Sequence, residues 1–88
     1  MVWKIEFDEV ALKQLNKLPY SIKIEILSYL KSITEKSNNP RNFGKPLLYE
    51  KKGLWRYRVD KYRIICQLEN EKCIILVVKI GKRDKVYG

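Results

Sequence analysis

The segment LWRYRVDKYRIICQLENEKCIILVVKI, residues 54–80, divides into three runs rich in β-branched and aromatic residues. Leu54–Asp60 alternates, with Trp55, Tyr57 and Val59 on one face and Arg56, Arg58 and Asp60 on the other. That period of two is the mark of a half-buried strand. Tyr62–Glu69 and Cys73–Ile80 read as two further strands, and Asn70-Glu71 as a tight turn that makes them an antiparallel hairpin. In that register Cys66 and Cys73 are diagonal neighbours about 7–8 Å apart, beyond disulfide reach. Two buried thiols in a reducing compartment are the expectation.

Upstream of this block, Val2–Phe7 also alternates and predicts a short strand, with Trp3, Ile5 and Phe7 on one face. Asp8 is placed to cap a helix running to about Leu18, with Glu9 at its positive end, and Pro19 stops it. Tyr20 or Ser21 opens a second helix. There Ile22, Ile26, Tyr29, Leu30 and Ile33 form a stripe at helical spacing that reads as core. Ser37-Asn38-Asn39-Pro40 ends it, because proline cannot continue a helix and restricts the residue before it. Residues 41–53 form a basic connection containing Gly44, Pro46 and Gly53. The order β-α-α-β-β-β predicts an α+β fold: a small antiparallel sheet with an N-terminal helical hairpin packed on one face, and Val2–Phe7 joining that sheet as an edge strand.

The 88 residues leave room for a single domain, 1–88, with one modest core. Their 45% hydrophobic content fits a folded chain. Nineteen Lys and Arg against ten Asp and Glu give +9, which points to a polyanion or an acidic protein as partner. No run of about 18 apolar residues predicts a membrane span, and the N-terminus lacks a signal-peptide pattern, so the expected location is cytoplasmic. With two Cys and no His, a zinc site within one chain, and any other metal or cofactor, is not expected. The commonest neutral-pH general base is missing too. Any catalysis must run on Lys, Arg, Tyr or carboxylates.

The charge is unevenly spread. Residues 41–88 carry a net +8 and all five arginines: Arg41, Arg56, Arg58, Arg63 and Arg83. Arginine on an exposed strand face can be plain solvated surface, but solubility gives no reason to confine the best phosphate ligand to one half of a chain. Arg56 and Arg58, two apart on one strand face, emerge about 6–7 Å from each other, which suits adjacent phosphates or two sides of one. Arg63 opens the next strand. The last strand ends Lys79-Ile80-Gly81-Lys82-Arg83, where Gly81 lets the chain turn so that Lys82 and Arg83 fold over the sheet. Tyr87 adds an aromatic. Cations beside an aromatic are the usual equipment for unpaired RNA.

At this point the chain resembles a known family. GLWRYRVDKYRIICQLENEKCIILVVKIGKRDKVY (53–87) is similar to the C-terminal signature of the RelE/ParE toxin superfamily, and FDEVALKQLNKLP (7–19) to its first helix. The resemblance implies a toxin of a type II toxin–antitoxin pair. In the RelE branch it implies an endoribonuclease that enters the ribosomal A site and cleaves mRNA, the ribose 2′-hydroxyl attacking its own 3′-phosphate. Carried over residue by residue, Arg63 and Arg83 match two arginines that clamp the scissile phosphate, and Tyr87 a tyrosine that orients or stacks on the substrate. Arg56 and Arg58 stand where the best-known members have lysines. A guanidinium keeps its proton at physiological pH, so either they act as electrostatic clamps or Lys52, Lys61, Lys82 or Tyr87 handles the proton. Lys52, Lys61, Lys82 and Lys85 are the further expected RNA contacts. The implied partners are an acidic RelB-like antitoxin, the ribosome and mRNA. The ParE branch, which targets DNA gyrase, typically lacks this Arg/Tyr set. A gyrase-poisoning toxin and an RNA-binding module without chemistry are the competing readings.

Overall fold

A computed structural model describes residues 2–47 and 53–82. Strand β1 (Lys4–Phe7) leads into helices α1 (Glu9–Asn16) and α2 (Tyr20–Lys36), a single 3₁₀ turn (Pro40–Asn42) and the two-residue β2 (Lys45–Pro46). Strands β3 (Leu54–Val59), β4 (Tyr62–Glu69) and β5 (Ile74–Lys82) follow. The sheet order is β1-β5-β4-β3-β2. All pairings are antiparallel except β1 with β5, which is parallel, so the sheet is mixed. A parallel pair needs a long crossover, and here the helices and the whole β2–β4 meander supply it.

Each boundary has a local cause. Asp8 caps α1 through Oδ1, which accepts the Ala11 N–H at 2.8 Å. Pro19 precedes α2, whose first turn has no side-chain cap. Residues Trp55, Tyr57 and Val59 of β3, with Ile64, Cys66 and Leu68 of β4, turn their faces to the helices. There they meet Ala11, Leu15, Ile26, Leu30 and Ile33 in one core. Fully burying an aliphatic side chain of this size contributes about 1.5–3 kcal/mol.

Strand β5 keeps its apolar residues inward by a bulge. Ile65 faces Lys79 while Cys66 faces Val77, so Val78 is an extra residue. Without that insertion Lys79 would point into the core and Ile80 outward, because a one-residue slip exchanges the two faces. Strand β1 stops opposite Val77, and the Ile80 N–H beyond it donates to Gln14 Oε1 of α1 at 2.7 Å. The strand also runs straight through Gly81 to Lys82, so the expected turn at Gly81 is not there.

The β4–β5 turn differs from the expected two residues. It spans Asn70 to Cys73, closed by Cys73 N–H donating to Asn70 O at 3.3 Å, with Cys73 at φ 53°. Cys73 therefore lies outside the ladder, while Cys66 faces Val77. Both thiols are free and buried. Among the described residues, no helix is long and apolar enough to cross a membrane, and no cluster of His, Cys, Asp and Glu is placed to hold a metal.

Candidate functional site

A cleft of about 290 Å³ opens at the β3 edge of the sheet, lined by Tyr29, Gly44, Lys45, Arg56, Tyr57, Arg58 and Arg63. Its cations are set by strand register. Val59 pairs with Tyr62, so only Asp60 and Lys61 turn the chain, with Asp60 at φ 55°. Asp tolerates this left-handed conformation better than most residues with a side chain. The tight turn makes Arg58 and Arg63 direct cross-strand partners. Arg56 shares their face two residues back along β3, and its partners are Lys45 on β2 and Ile65 on β4. Adjacent strands are about 4.8 Å apart, which brings three guanidiniums within the reach of one phosphate group and its neighbours.

This arrangement has a local cost, since like charges directly opposite each other destabilise a sheet. Arg58 is exposed, and Arg56 and Arg63 are half-buried. Arg41 has a different role. Its guanidinium lies 6.0 Å from the Trp55 ring centroid and its Nη1 donates to Asn70 Oδ1 at 2.7 Å, tying the segment after α2 to the far end of the sheet.

The opposite wall is a strap, residues 38–44, held by three aromatic donors. Trp3 Nε1 donates to Asn38 O at 2.8 Å, Tyr57 Oη to Pro40 O at 2.8 Å and Trp55 Nε1 to Phe43 O at 2.6 Å. The strap then comes so close to β3 that only glycine fits. A Cβ on Gly44 would collide with the Arg56 carbonyl oxygen and lie 2.7 Å from Tyr57 Cδ1, and its φ is +68°. Lys45 follows at once, opposite Arg56. Tyr29 of α2 closes the cleft from the helix side, its ring edge-on to Tyr57 at 6.1 Å and 64°.

Burial pushes the Tyr29 hydroxyl upward. For Tyr57 burial is again the main cause, with smaller contributions from Cys66 and Tyr29, and its pKa lies far above the ordinary phenol value. Both rings are neutral near pH 7. Burial likewise raises the Cys66 thiol far above its usual range, so it is a core residue and no nucleophile.

Of the site residues expected from sequence, Arg56, Arg58 and Arg63 share the cleft. Lys61 lies in the β3–β4 turn, and Lys82, opposite Tyr62, belongs to the sheet's helix-side face; neither lines the cleft. Lys52, Arg83, Lys85 and Tyr87 fall outside the described residues. Sequence reasoning missed Lys45, Lys79 and Tyr29. Lys79 joins the arginine face because the bulge at Val78 reverses the parity of β5, a shift that strict alternation hides. Lys45 comes in through a two-residue strand with no periodicity. Tyr29 belongs to a helical stripe that reads wholly as core.

A family model described as the ParE toxin of the type II toxin–antitoxin system parDE matches residues 5–87. The chain belongs to this toxin family. It is 25% identical over 87 residues to toxin RelG of Mycobacterium tuberculosis, covering 99% of this chain and 98% of the relative. It is 30% identical over 87 residues to the mRNA interferase toxin RelE of Escherichia coli, covering 97% of this chain and 87% of the relative. Among solved structures, a RelBE toxin–antitoxin complex from Mycobacterium tuberculosis matches with a TM-score of 0.81 and 23% identity, over 94% of this chain and 100% of the other. A variant of Escherichia coli RelE in the free state matches with a TM-score of 0.75 and 25% identity, over 99% and 92%. The chain is a RelE-like toxin of a type II toxin–antitoxin system.

Proposed function

We propose that this toxin is an mRNA endonuclease that acts in the ribosomal A site. The observation that carries the reading is the register that sets Arg58 against Arg63, with Arg56 and Lys45 alongside. A sheet accepts such like-charge crowding at a cost, and a dianionic transition state repays it. The likeness to a relative named an mRNA interferase, at 30% identity over 87 residues, supports RNA as the target.

RNA brings its own nucleophile. The ribose 2′-oxygen attacks the adjacent phosphorus, the P–O bond to the leaving 5′-oxygen breaks, and a 2′,3′-cyclic phosphate forms. The protein need only align these atoms and neutralise the growing charge. Alignment can supply about 7–11 kcal/mol, and each preorganised donor about 2.7–4 kcal/mol. Arg63 and Arg83 take the phosphate clamp, Arg56 and Arg58 add electrostatic stabilisation, and Tyr87 orients the substrate. Lys61, Lys82 and Lys85 contact the RNA backbone. Lys45 lines the cleft and joins Lys52 and Tyr87 as a candidate for moving the proton, which a guanidinium cannot do. Lys61 and Lys82 lie outside the cleft and do not take that role. The ribosome supplies the substrate geometry, so activity on free RNA is expected to be low and the site of action cytoplasmic. An acidic RelB-like antitoxin that folds on binding to the +9 chain holds it inactive.

A gyrase-poisoning reading has one observation in its favour, the ParE description of the matching family model. Primer extension on mRNA from cells expressing the toxin separates the readings. Cuts at defined codon positions support the endonuclease. DNA damage without cuts supports the gyrase poison and overturns our proposal, and neither result would leave an RNA-binding module.

A further inference from the structure

We infer that the cleft seats one unstacked nucleobase against the ring of Tyr29, with the adjoining phosphate on Arg58 and Arg63. The inference rests on the RNA-cleaving reading and adds a subsite on the helix side of the clamp. Its lining joins two chemistries: the cations Lys45, Arg56, Arg58 and Arg63, and the rings of Tyr29 and Tyr57. A bare phosphate or an acidic peptide needs only the first. A nucleotide uses both, because every base offers a face to stack and every phosphate a charge.

The cleft is built for a small occupant. At about 290 Å³ it falls just below the range of about 300–1,000 Å³ for small-ligand sites, room for one nucleotide unit and no duplex. Ile26, Leu30 and Ile33 of the α2 stripe are fully buried, but Tyr29 stays partly exposed at the cleft wall. Its ring is buttressed by Tyr57 at 6.1 Å. Tyr57 in turn is pinned by its hydrogen bond to Pro40 O, so the platform exists before RNA arrives. Both phenols are neutral near pH 7, as phenols ordinarily are, and burial extends that range to higher pH, so neither repels phosphate. At Gly44 a side chain would collide with β3, so glycine lets the strap wall pack directly against the strand that carries Arg56 and Arg58.

The test is anisotropy titration of the full-length toxin with a short single-stranded 2′-O-methyl RNA, uncleavable by design, and with its abasic counterpart. Tyr29→Phe should bind the base-bearing RNA within about twofold of the parent. Tyr29→Leu, which keeps the apolar contact with Tyr57 but has no ring, should bind it roughly five- to a hundredfold more weakly and leave abasic RNA unchanged. An equal loss on both RNAs, or none on either, overturns the subsite while leaving the nuclease reading standing. No RNA binding by the parent at low salt also overturns the subsite, and the nuclease reading is then judged separately by primer extension on mRNA from cells expressing the toxin.

Discussion

The cross-strand pair Arg58 and Arg63 predicts effects of opposite sign on stability and on cleavage. The two side chains leave paired positions on β3 and β4, where Cβ atoms are about 4.5–5.5 Å apart. A like-charge pair so placed costs about 0.2–1 kcal/mol. The bond from Arg58 Nε to Asp60 O is 3.4 Å long and exposed, so it returns little. Arg58→Ala should therefore keep or raise the melting temperature, by up to about 4–8 °C for 1 kcal/mol in a domain of this size. The gain should shrink as salt screens the repulsion over a Debye length of about 8 Å at physiological strength. A double-mutant cycle with Arg63→Ala isolates the pair: the stability coupling should be repulsive, with each variant folded. Ribosome-dependent cleavage should fall about a hundred- to thousand-fold for Arg63→Ala. An attractive coupling in thermal unfolding refutes the electrostatic argument. Growth arrest by Arg63→Ala as strong as the parent's refutes the clamp.

Four further outcomes follow from the strap and the charge. Tyr57→Phe leaves the Pro40 carbonyl without its 2.8 Å donor and should cost about 1–3 kcal/mol in urea unfolding; a loss below about 0.5 kcal/mol contradicts the buried bond. Because burial raises the folded Tyr57 pKa above its unfolded value, its contribution is complete below about pH 10 and is lost as pH climbs beyond that. The parent should lose stability there more steeply than Tyr57→Phe, and parallel curves would count against the shift. Gly44→Ala, forced to φ +68° against the Arg56 carbonyl, should destabilise by about 1–3 kcal/mol and reduce cleavage, whereas a neutral result in both assays refutes the close approach. Association with an acidic antitoxin should slow steeply as salt rises, given the +8 in residues 41–88; a flat salt profile contradicts electrostatic guidance.

The parts of the fold legible in the sequence are those with a regular period or a strong punctuation mark. Strand β4 begins and ends at the residues its apolar run predicts, and Asp8, Pro19 and Ser37 bracket the helices where capping and proline chemistry require. The parallel partner of β1 was hidden because alternation describes a strand's faces and is silent on its neighbour's direction. Strand β2 depends on Gly44 and on three hydrogen bonds from Trp3, Trp55 and Tyr57, donors as many as 35 residues from their acceptors. No local pattern encodes that. The cation cluster was half visible: alternation put Arg56 and Arg58 on one face, and the two-residue turn made Arg63 their neighbour. Tyr29 could not be told from core, since a helical stripe is wider than the sheet edge it covers and the last ring in it looks the same whether buried or facing a cleft.

The central claim, that the RNA's own 2′-hydroxyl is the nucleophile on a ribosome-bound message, is tested most directly by a single-atom change in the substrate. Purified toxin is mixed with ribosomes programmed with a defined mRNA, and the cut site is mapped by primer extension. The same mRNA carrying a 2′-deoxy nucleotide on the 5′ side of the scissile bond is then compared. The account predicts codon-positioned cleavage of the all-ribose message, ending in a 2′,3′-cyclic phosphate, and loss of that cut with the 2′-deoxy message. Equal cleavage of both messages would contradict it.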